Sequence, residues 1–262
     1  MGNEVYYYRK DRKNRKNYFI RRAPVTVNQT PATKRTAADF GTASKTSGLI
    51  RRALNEYTIH CYDNQLHYNL NKKLGEILRA DVSPAGQRVI TAQNMQPFQG
   101  FRFNSAAIIQ PHAVIENNEG AINISFPDTF NNKSNTTHIA VKAIALTVNF
   151  AKNTTRQVAS NTVIIKRGEK CPPLTMNIKR RDLTIIILET QSFYEVNGQL
   201  HISEDKKNNA LDVIAVLPPV ETPKEPKRKY SNKAPHFWMP YATPERRALL
   251  IMPVNCIPLP EG

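Results

Sequence analysis

The sequence predicts a mainly β protein, α+β overall, built as an immunoglobulin-like or fibronectin-like β-sandwich. A basic arm and two helices precede the sandwich, and a Pro-rich extended tail follows it. The first supporting observation is the apolar, β-branched run at residues 183–196, which must be covered on both faces. The second is a series of about eight short strand-like segments between residues 97 and 217. Since no helix pattern separates them, a doubly wound α/β sheet is disfavoured.

The first 29 residues form a basic, aromatic arm. Residues 1–56 hold 13 Lys and Arg against 4 Asp and Glu, which is nine of the chain's sixteen net positive charges. Such a charge excess favours a polyanion, and interleaved aromatic rings can stack on exposed bases. This hypothesis assigns the following residues to nucleic acid: Arg9, Lys10, Arg12, Lys13, Arg15, Lys16, Tyr18, Arg21 and Arg22.

A structural interpretation of the same arm stays open beside this one. Residues 4–9 and 17–22 alternate like two short strands, and the polar residues 10–16 would form the turn between them. In that hairpin we expect the aromatic side chains to pack on a neighbouring surface. The positive charge would then serve only to keep the segment solvated.

Residues 30–96 are predicted to be helical. Thr30 followed by Pro31 is typical of an N-cap and a first helical position. The inner face of the first helix is predicted to contain Phe40, Ala43, Ser47, Ile50, Leu54 and Tyr57. The second helix, within residues 57–82, is predicted to bury Leu66, Leu70, Leu74, Ile77 and Leu78.

Residues between these helices include potential metal ligands, namely His60, Cys61, Asp63 and His67. Their spacing matches no standard zinc pattern, so ordinary polar packing is the favoured interpretation. The three cysteines of the chain are far apart and odd in number, which argues against a disulfide framework. We predict neither a metal nor a cofactor.

Residues 97–217 are predicted to be the sandwich domain. Its candidate strands are residues 100–103, 121–126, 138–150, 161–166, 174–178, 183–196, 199–203 and 211–216. The segment 183–196 ends at Asn197-Gly198, a pair that favours a two-residue hairpin turn to the next strand. We expect segment 183–196, which is apolar enough to need cover on both faces, and segment 138–150, whose two faces are both apolar in part, to be central strands.

Residues 218–262 contain 10 of the 18 prolines, which predicts an extended arm. Apolar clusters within it suggest that it docks on something. We predict that Phe237, Trp238 and Met239 bind a partner, because the single tryptophan of an extended segment makes a strong anchor.

One family resemblance rests on the first fifth of the chain. The residues that carry it are Tyr18, Arg21, Arg22, Pro24, Thr30, Pro31, Ala32, Arg35 and Phe40. This segment, followed by β-rich sequence, resembles a family of uncharacterised bacterial proteins with an arm-plus-β-sandwich plan. The resemblance implies a fold but no activity, and it covers neither the basic insert at residues 10–16 nor the Pro-rich end. A basic arm with a β-sandwich also resembles the plan of virus and phage structural proteins.

The leading functional hypothesis is a non-enzymatic structural or assembly protein that self-associates or binds another structural protein. Its basic arm would lie near nucleic acid. The alternatives are a nucleic-acid-binding regulator and a hydrolase whose His and carboxylate groups converge in the sandwich; no standard catalytic motif is present. The sequence has no apolar run long enough for a membrane span and no signal-peptide pattern, which predicts synthesis in the cytoplasm. The assembly hypothesis adds the expectation that the protein is part of a larger particle.

Overall fold

The computed structural model describes residues 4–22, 29–61, 63–118, 120–130 and 135–220. Across these residues the chain is a β-rich α+β protein with several antiparallel sheets and three helices, which confirms the coarse fold prediction. The predicted partner-binding residues Phe237, Trp238 and Met239 lie outside the described residues, as does most of the Pro-rich segment.

An antiparallel hairpin begins the described chain. Strands β1 (Glu4–Lys10) and β2 (Lys16–Arg22) pair along their whole length, so each is one residue longer at the turn than expected. Every residue of both strands is exposed. The expectation that their aromatic side chains pack on a neighbouring surface is therefore wrong, because the rings contact one another and the cations of the same hairpin.

Three helices follow: α1 (Pro31–Ala53), α2 (Asn55–Thr58) and α3 (Leu66–Arg79). Helix α1 begins where predicted, because the Thr30 hydroxyl accepts a hydrogen bond from the Thr33 N–H at 3.2 Å. The apolar face of α3 is buried as predicted. One predicted inner residue is wrong: Phe40 is 62% exposed, because the fully buried residues of α1 begin only at Ala43.

A six-stranded antiparallel sheet forms the centre of the fold. Its strands are β5 (His138–Asn149), β6 (Thr154–Ala159), β7 (Val163–Lys166), β9 (Leu183–Val196), β10 (Gln199–Ile202) and β11 (Ala210–Leu217). Strands β5 and β9 pair at the middle, with β6 and β7 on the outer edge of β5 and with β10 and β11 on the outer edge of β9. The β9–β10 turn is the predicted Asn197-Gly198 pair, and both residues have positive φ, 52° and 78°.

Alternation along β9 divides its apolar side chains between two cores. Ile185 and Ile187 face the helices, where they join Ile50, Leu74 and other side chains of α1 and α3. Ile186 and Leu188 face the opposite side. All four β9 side chains are fully buried, as predicted for a central strand covered on both faces.

A three-stranded sheet covers that second side. Its strands are β3 (Val114–Asn118), β4 (Ala121–Ser125) and β8 (Leu174–Asn177), and β4 lies between the other two. The two sheets share a core to which Ile122, Ile124, Leu174 and Met176 contribute from the smaller sheet. Helices therefore lie on one face of the central sheet and a second sheet lies on the other.

One predicted strand is absent from the described residues, and two observed strands were not predicted. Residues 100–103 do not form a strand: apart from the single bridge between Arg102 and Asp212 they are irregular. The reason is packing, since Phe101 and Phe103 insert into the helix-side core while Arg102 pairs with Asp212 at 3.1 Å. Strands β3 and β6 were not predicted, because both are short, polar and largely exposed, with little apolar alternation.

Candidate nucleic-acid interface

The β1–β2 turn uses its only carboxylate to hold its own backbone. Asp11 accepts hydrogen bonds from the N–H groups of Lys13 and Arg15 at 2.8 and 2.9 Å, and from the Arg15 side chain at 3.0 Å. The Arg15 N–H is the main cause of a lowered Asp11 pKa, so the carboxylate stays charged. Asn14 takes the positive φ of 62° that the turn requires. Asp11 thus fixes the turn and forms an ion pair with Arg15. The neighbouring cations stay exposed to solvent.

One face of the hairpin is a strip of aromatic and guanidinium groups. Tyr7 and Phe19 are opposite each other in the register and stack with ring centroids 5.5 Å apart, at an interplanar angle of 22°. The guanidinium carbons of Arg9 and Arg21 lie 5.9 and 5.8 Å from the Tyr7 ring centre. Cation–π contacts of this kind hold both Arg side chains beside the ring without neutralising their charge.

The other face has the same chemistry with more exposed rings. Tyr8 and Tyr18 are paired across the strands at 6.2 Å, and the Lys16 ammonium lies 4.9 Å from the Tyr8 ring centre. Tyr6 is 69% exposed and Tyr18 is 75% exposed. Proteins that bind single-stranded nucleic acid without sequence preference use the same combination of open aromatic rings and neighbouring cations.

All nine residues predicted to bind nucleic acid lie on this one hairpin, and all are exposed. They are Arg9, Lys10, Arg12, Lys13, Arg15, Lys16, Tyr18, Arg21 and Arg22. Arg15 differs from the others, because its guanidinium forms an ion pair with Asp11 at 3.0 Å and is partly neutralised. Among the described residues no ion pair is formed by Lys10, Lys13 or Lys16.

A second set of cations, which was not predicted from the sequence, lies in the β body, the two packed sheets formed by strands β3 to β11. Arg156, Lys179 and Arg181 line one cleft between the central sheet and the smaller sheet. The available signal was the run Lys179-Arg180-Arg181 just before the central strand. Nothing in the sequence showed that Arg156, on a strand that was not predicted, would lie beside it.

Two exposed or half-exposed His–carboxylate pairs bear on the hydrolase alternative. His112 and Asp128 lie 3.2 Å apart, but their side chains are 68% and 71% exposed. His138 and Glu195, on neighbouring strands, are 3.9 Å apart, and the glutamate is half-exposed. Neither arrangement has the enclosed surroundings that tune a catalytic acid or base.

A further His and a carboxylate line one cleft beside α1 and α3. In that cleft Asp39 accepts from the Gly86 N–H at 2.9 Å and pairs with Arg88 at 3.4 Å, which ties the chain near residue 86 to helix α1. His67 lies 3.3 Å from the Asn71 side-chain amide nitrogen. Both groups are thus engaged with other partners, which favours a structural role for each.

A buried carboxylate is paired with a lysine on the helix-side face of the central sheet. Lys142 and Glu189 are opposite each other on β5 and β9, with the ammonium 3.3 Å from the carboxylate. Burial raises the pKa of Glu189, and Lys142 and the Gln191 amide, at 2.8 Å, oppose that shift. Tyr57 covers the pair, with its ring centre 5.3 Å from the ammonium, and burial raises its pKa to about 12. These contacts satisfy the buried carboxylate and explain why the strand tolerates it.

Two of the potential metal ligands near α2, Cys61 and Asp63, are engaged in hydrogen bonds within the fold. Cys61 is buried and donates to the Tyr57 carbonyl at 3.0 Å, and burial raises its pKa to about 12. Asp63 accepts from the N–H of Gln65 and from the hydroxyl of Ser105. Within the described part of the chain, no three His, Cys, Asp or Glu side chains gather into a group that could hold a metal ion.

None of the described helices has the length and apolar character needed to cross a bilayer.

No protein-family model, curated protein or solved structure matches this chain. The resemblance of its amino-terminal segment to uncharacterised bacterial proteins therefore stays a prediction. The function is accordingly argued from the geometry and charge of the residues described above.

Proposed function

We propose that this protein is a non-enzymatic structural or assembly protein whose β1–β2 hairpin contacts nucleic acid. One observation carries the proposal: a hairpin with every strand residue exposed presents eight Lys and Arg against two Asp and Glu, with paired aromatic rings on both faces. Exposed aromatic side chains are costly in water unless a ligand covers them, and cations beside them select a polyanion.

The ligand chemistry follows from the side chains. Lys and Arg neutralise phosphates and release condensed counterions, which provides affinity without sequence information. Tyr6 and Tyr18 offer open rings on which unpaired bases stack, and each stacked base contributes about 1–3 kcal/mol. We therefore expect binding to single strands with little sequence preference.

The assembly part of the proposal concerns the β body and the Pro-rich segment. We propose that the two packed sheets are of the immunoglobulin-like or fibronectin-like type; the core that they share supports this assignment. We further propose that Phe237, Trp238 and Met239 anchor a second copy or another structural protein, that the protein is made in the cytoplasm, and that it works within a larger particle. The aromatic and apolar character of this tripeptide supports the anchor role.

The hairpin is tested by removing two cations while the rest of the chain is retained. The hairpin variant, Arg9→Gln with Arg21→Gln, loses the two guanidiniums beside Tyr7. A matched control variant, Lys166→Gln with Lys170→Gln, loses the same charge from exposed positions on and just after β7. Affinity for a labelled single-stranded oligonucleotide is measured against salt concentration. Loss of two phosphate contacts lowers the slope of log affinity against log salt by about 1.4.

Equal slopes for the hairpin variant and the control variant would remove the nucleic-acid role of the hairpin. The mass of the native particle in high salt tests assembly separately. A defined oligomer that persists in high salt supports the structural role, whereas a monomer with steeply salt-dependent binding supports a regulatory protein instead.

A further inference from the structure

We infer that the β body contains a second phosphate-binding surface, a cleft at the end of the central sheet where β5, β6 and β8 meet the loop of residues 178–182. The ligand that it fits is the backbone of a nucleic acid. The inference shares its ligand class with the proposed function, but it uses none of the hairpin residues. Either surface can therefore bind without the other.

The first supporting observation is the position of the loop. Three clefts meet at residues 178–182, with volumes of about 450, 520 and 530 Å³, and Arg181 lines all three. Lys179 lines the clefts of 450 and 520 Å³, and Arg180 lines the cleft of 520 Å³. Arg156, on strand β6, lines the cleft of 450 Å³. Arg181 thus connects three neighbouring clefts, and the basic side chains are spread along the loop, which suits a chain of phosphates better than one small anion.

The second observation is that the loop backbone is fixed while its basic side chains stay open. The Ile178 N–H donates to the Gly120 carbonyl and the Val220 N–H donates to the Arg180 carbonyl, both at 2.9 Å. Lys179 and Arg181 are nonetheless exposed. A backbone held by neighbouring strands reduces the entropy that is lost when such side chains bind.

The third observation is the charge balance. The acid of the loop, Asp182, accepts a hydrogen bond from the Asn149 amide at 2.8 Å, and Asn149 in turn accepts from the Lys152 N–H at 2.8 Å. In the described part of the chain, no ion pair is formed by Arg156, Lys179 or Arg181. Three cations therefore face one cleft whose carboxylate is occupied with fixing the β5–β6 turn.

The uncharged lining is also suited to phosphate. Thr154, Thr155 and Asn177 line the same cleft as Arg156 and Lys179, and they offer hydroxyl and amide donors. Hydroxyl and amide donors of this kind complete the coordination of phosphate oxygens but do not read base edges. We therefore expect the cleft to bind backbone without sequence preference.

The test compares the loop variant, Lys179→Gln with Arg181→Gln, with the control variant defined above. Both changes remove two exposed cations from the full-length chain, so folding should be retained, and this is checked by an unchanged melting temperature. For a labelled single-stranded oligonucleotide, the loop variant should reduce the magnitude of the salt slope by about 1.4. At about 0.1 M salt this reduction corresponds to roughly 25-fold weaker binding. The control variant should change neither quantity.

Several results would overturn the inference. If loop and control variants bind the oligonucleotide alike, the cleft does not contact nucleic acid. Inorganic tripolyphosphate, titrated alone, provides the second arm: if the loop variant loses tripolyphosphate binding but keeps oligonucleotide affinity, the occupant is a small phosphorylated ligand. Combining the loop and hairpin variants separates the two proposals, because independent surfaces give additive losses in slope. If the hairpin variant binds like the control variant but the loop variant does not, the proposed function of the hairpin is wrong and the inference about the cleft is supported.

Discussion

Strand β9 and the β1–β2 hairpin contain similar side chains, but those of β9 are mostly buried and those of the hairpin are exposed. Both are rich in aromatic and β-branched residues and both alternate like strands. In β9 the run from Leu183 to Ser192 is buried apart from Gln191, whereas every strand residue of the hairpin is exposed. The same local pattern therefore stabilises the fold in one place and presents a surface to ligands in the other.

The difference lies in what flanks the apolar residues. In the buried run of β9 Glu189 is the single charged residue, and it has a lysine directly opposite. In the hairpin the cations alternate with the rings on both faces, so neither face can be buried without removing charges from water. Charge placement, more than β propensity, separates the structural strand from the candidate interface.

The largest effect is expected from Ile186→Asp in the centre of β9. The substitution places an unpaired carboxylate in the core shared by the two sheets, where Ile186 is fully buried. We expect a loss of about 4 kcal/mol or more in the free energy of unfolding, measured by chemical denaturation. The control is Ile164→Asp on β7, where the side chain is 52% exposed; its loss should be about 1 kcal/mol or less. Equal losses would contradict the assignment of β9 as the doubly covered strand.

A smaller but still large effect is expected from Lys142→Ala. The change leaves Glu189 buried without its cation, at a cost of about 3 kcal/mol in unfolding free energy. Adding Glu189→Gln to the same chain should recover much of that loss, because the buried group is then neutral. If the double variant is no more stable than the single variant, the pair is not coupled as the geometry indicates.

In the hairpin, Tyr18→Ala should change binding and leave folding nearly untouched. Tyr18 is 75% exposed, so unfolding free energy should change by no more than about 0.5 kcal/mol. Affinity for single-stranded nucleic acid should weaken by about 1–3 kcal/mol if one base stacks there. Tyr68→Ala on α3, where the ring is 64% exposed, serves as the control and should change neither quantity. A destabilised Tyr18 variant with intact binding would reverse the roles assigned to the two regions.

The most subtle expectation concerns pH. Burial raises the pKa of Glu189 above its value of 4.5 in an unfolded chain, so the folded state holds this proton over a wider range than the unfolded state does. Stability therefore falls as pH rises from about 4.5 through the folded pKa. In the Glu189→Gln variant, the melting temperature should lose the part of its decline with pH that Glu189 causes. Thermal unfolding measured across that pH range checks this expectation. Asp212, whose pKa burial also raises, contributes a decline of the same sign and is retained in the variant.

The sequence was informative where a pattern had one physical solution. Ile185 and Ile186 lie in an apolar run that required cover on both faces, and Thr30-Pro31 matched one end of a helix. Phe40 was misplaced because periodicity cannot show how far the neighbouring layer extends. The hairpin cations were found because they are clustered in the sequence, whereas the cleft needed Arg156 and Lys179, which only the packing of the two sheets brings together.

The most direct test of the contrast is deletion of residues 1–22, which removes eight Lys and Arg and two Asp and Glu. Melting temperature and the salt dependence of oligonucleotide affinity are measured on the same samples of intact and shortened protein. We expect an unchanged melting temperature, weaker binding and a shallower salt slope, because the hairpin buries no residue of its own. A lowered melting temperature with unchanged affinity and slope would show that the hairpin is a packing element and does not bind nucleic acid.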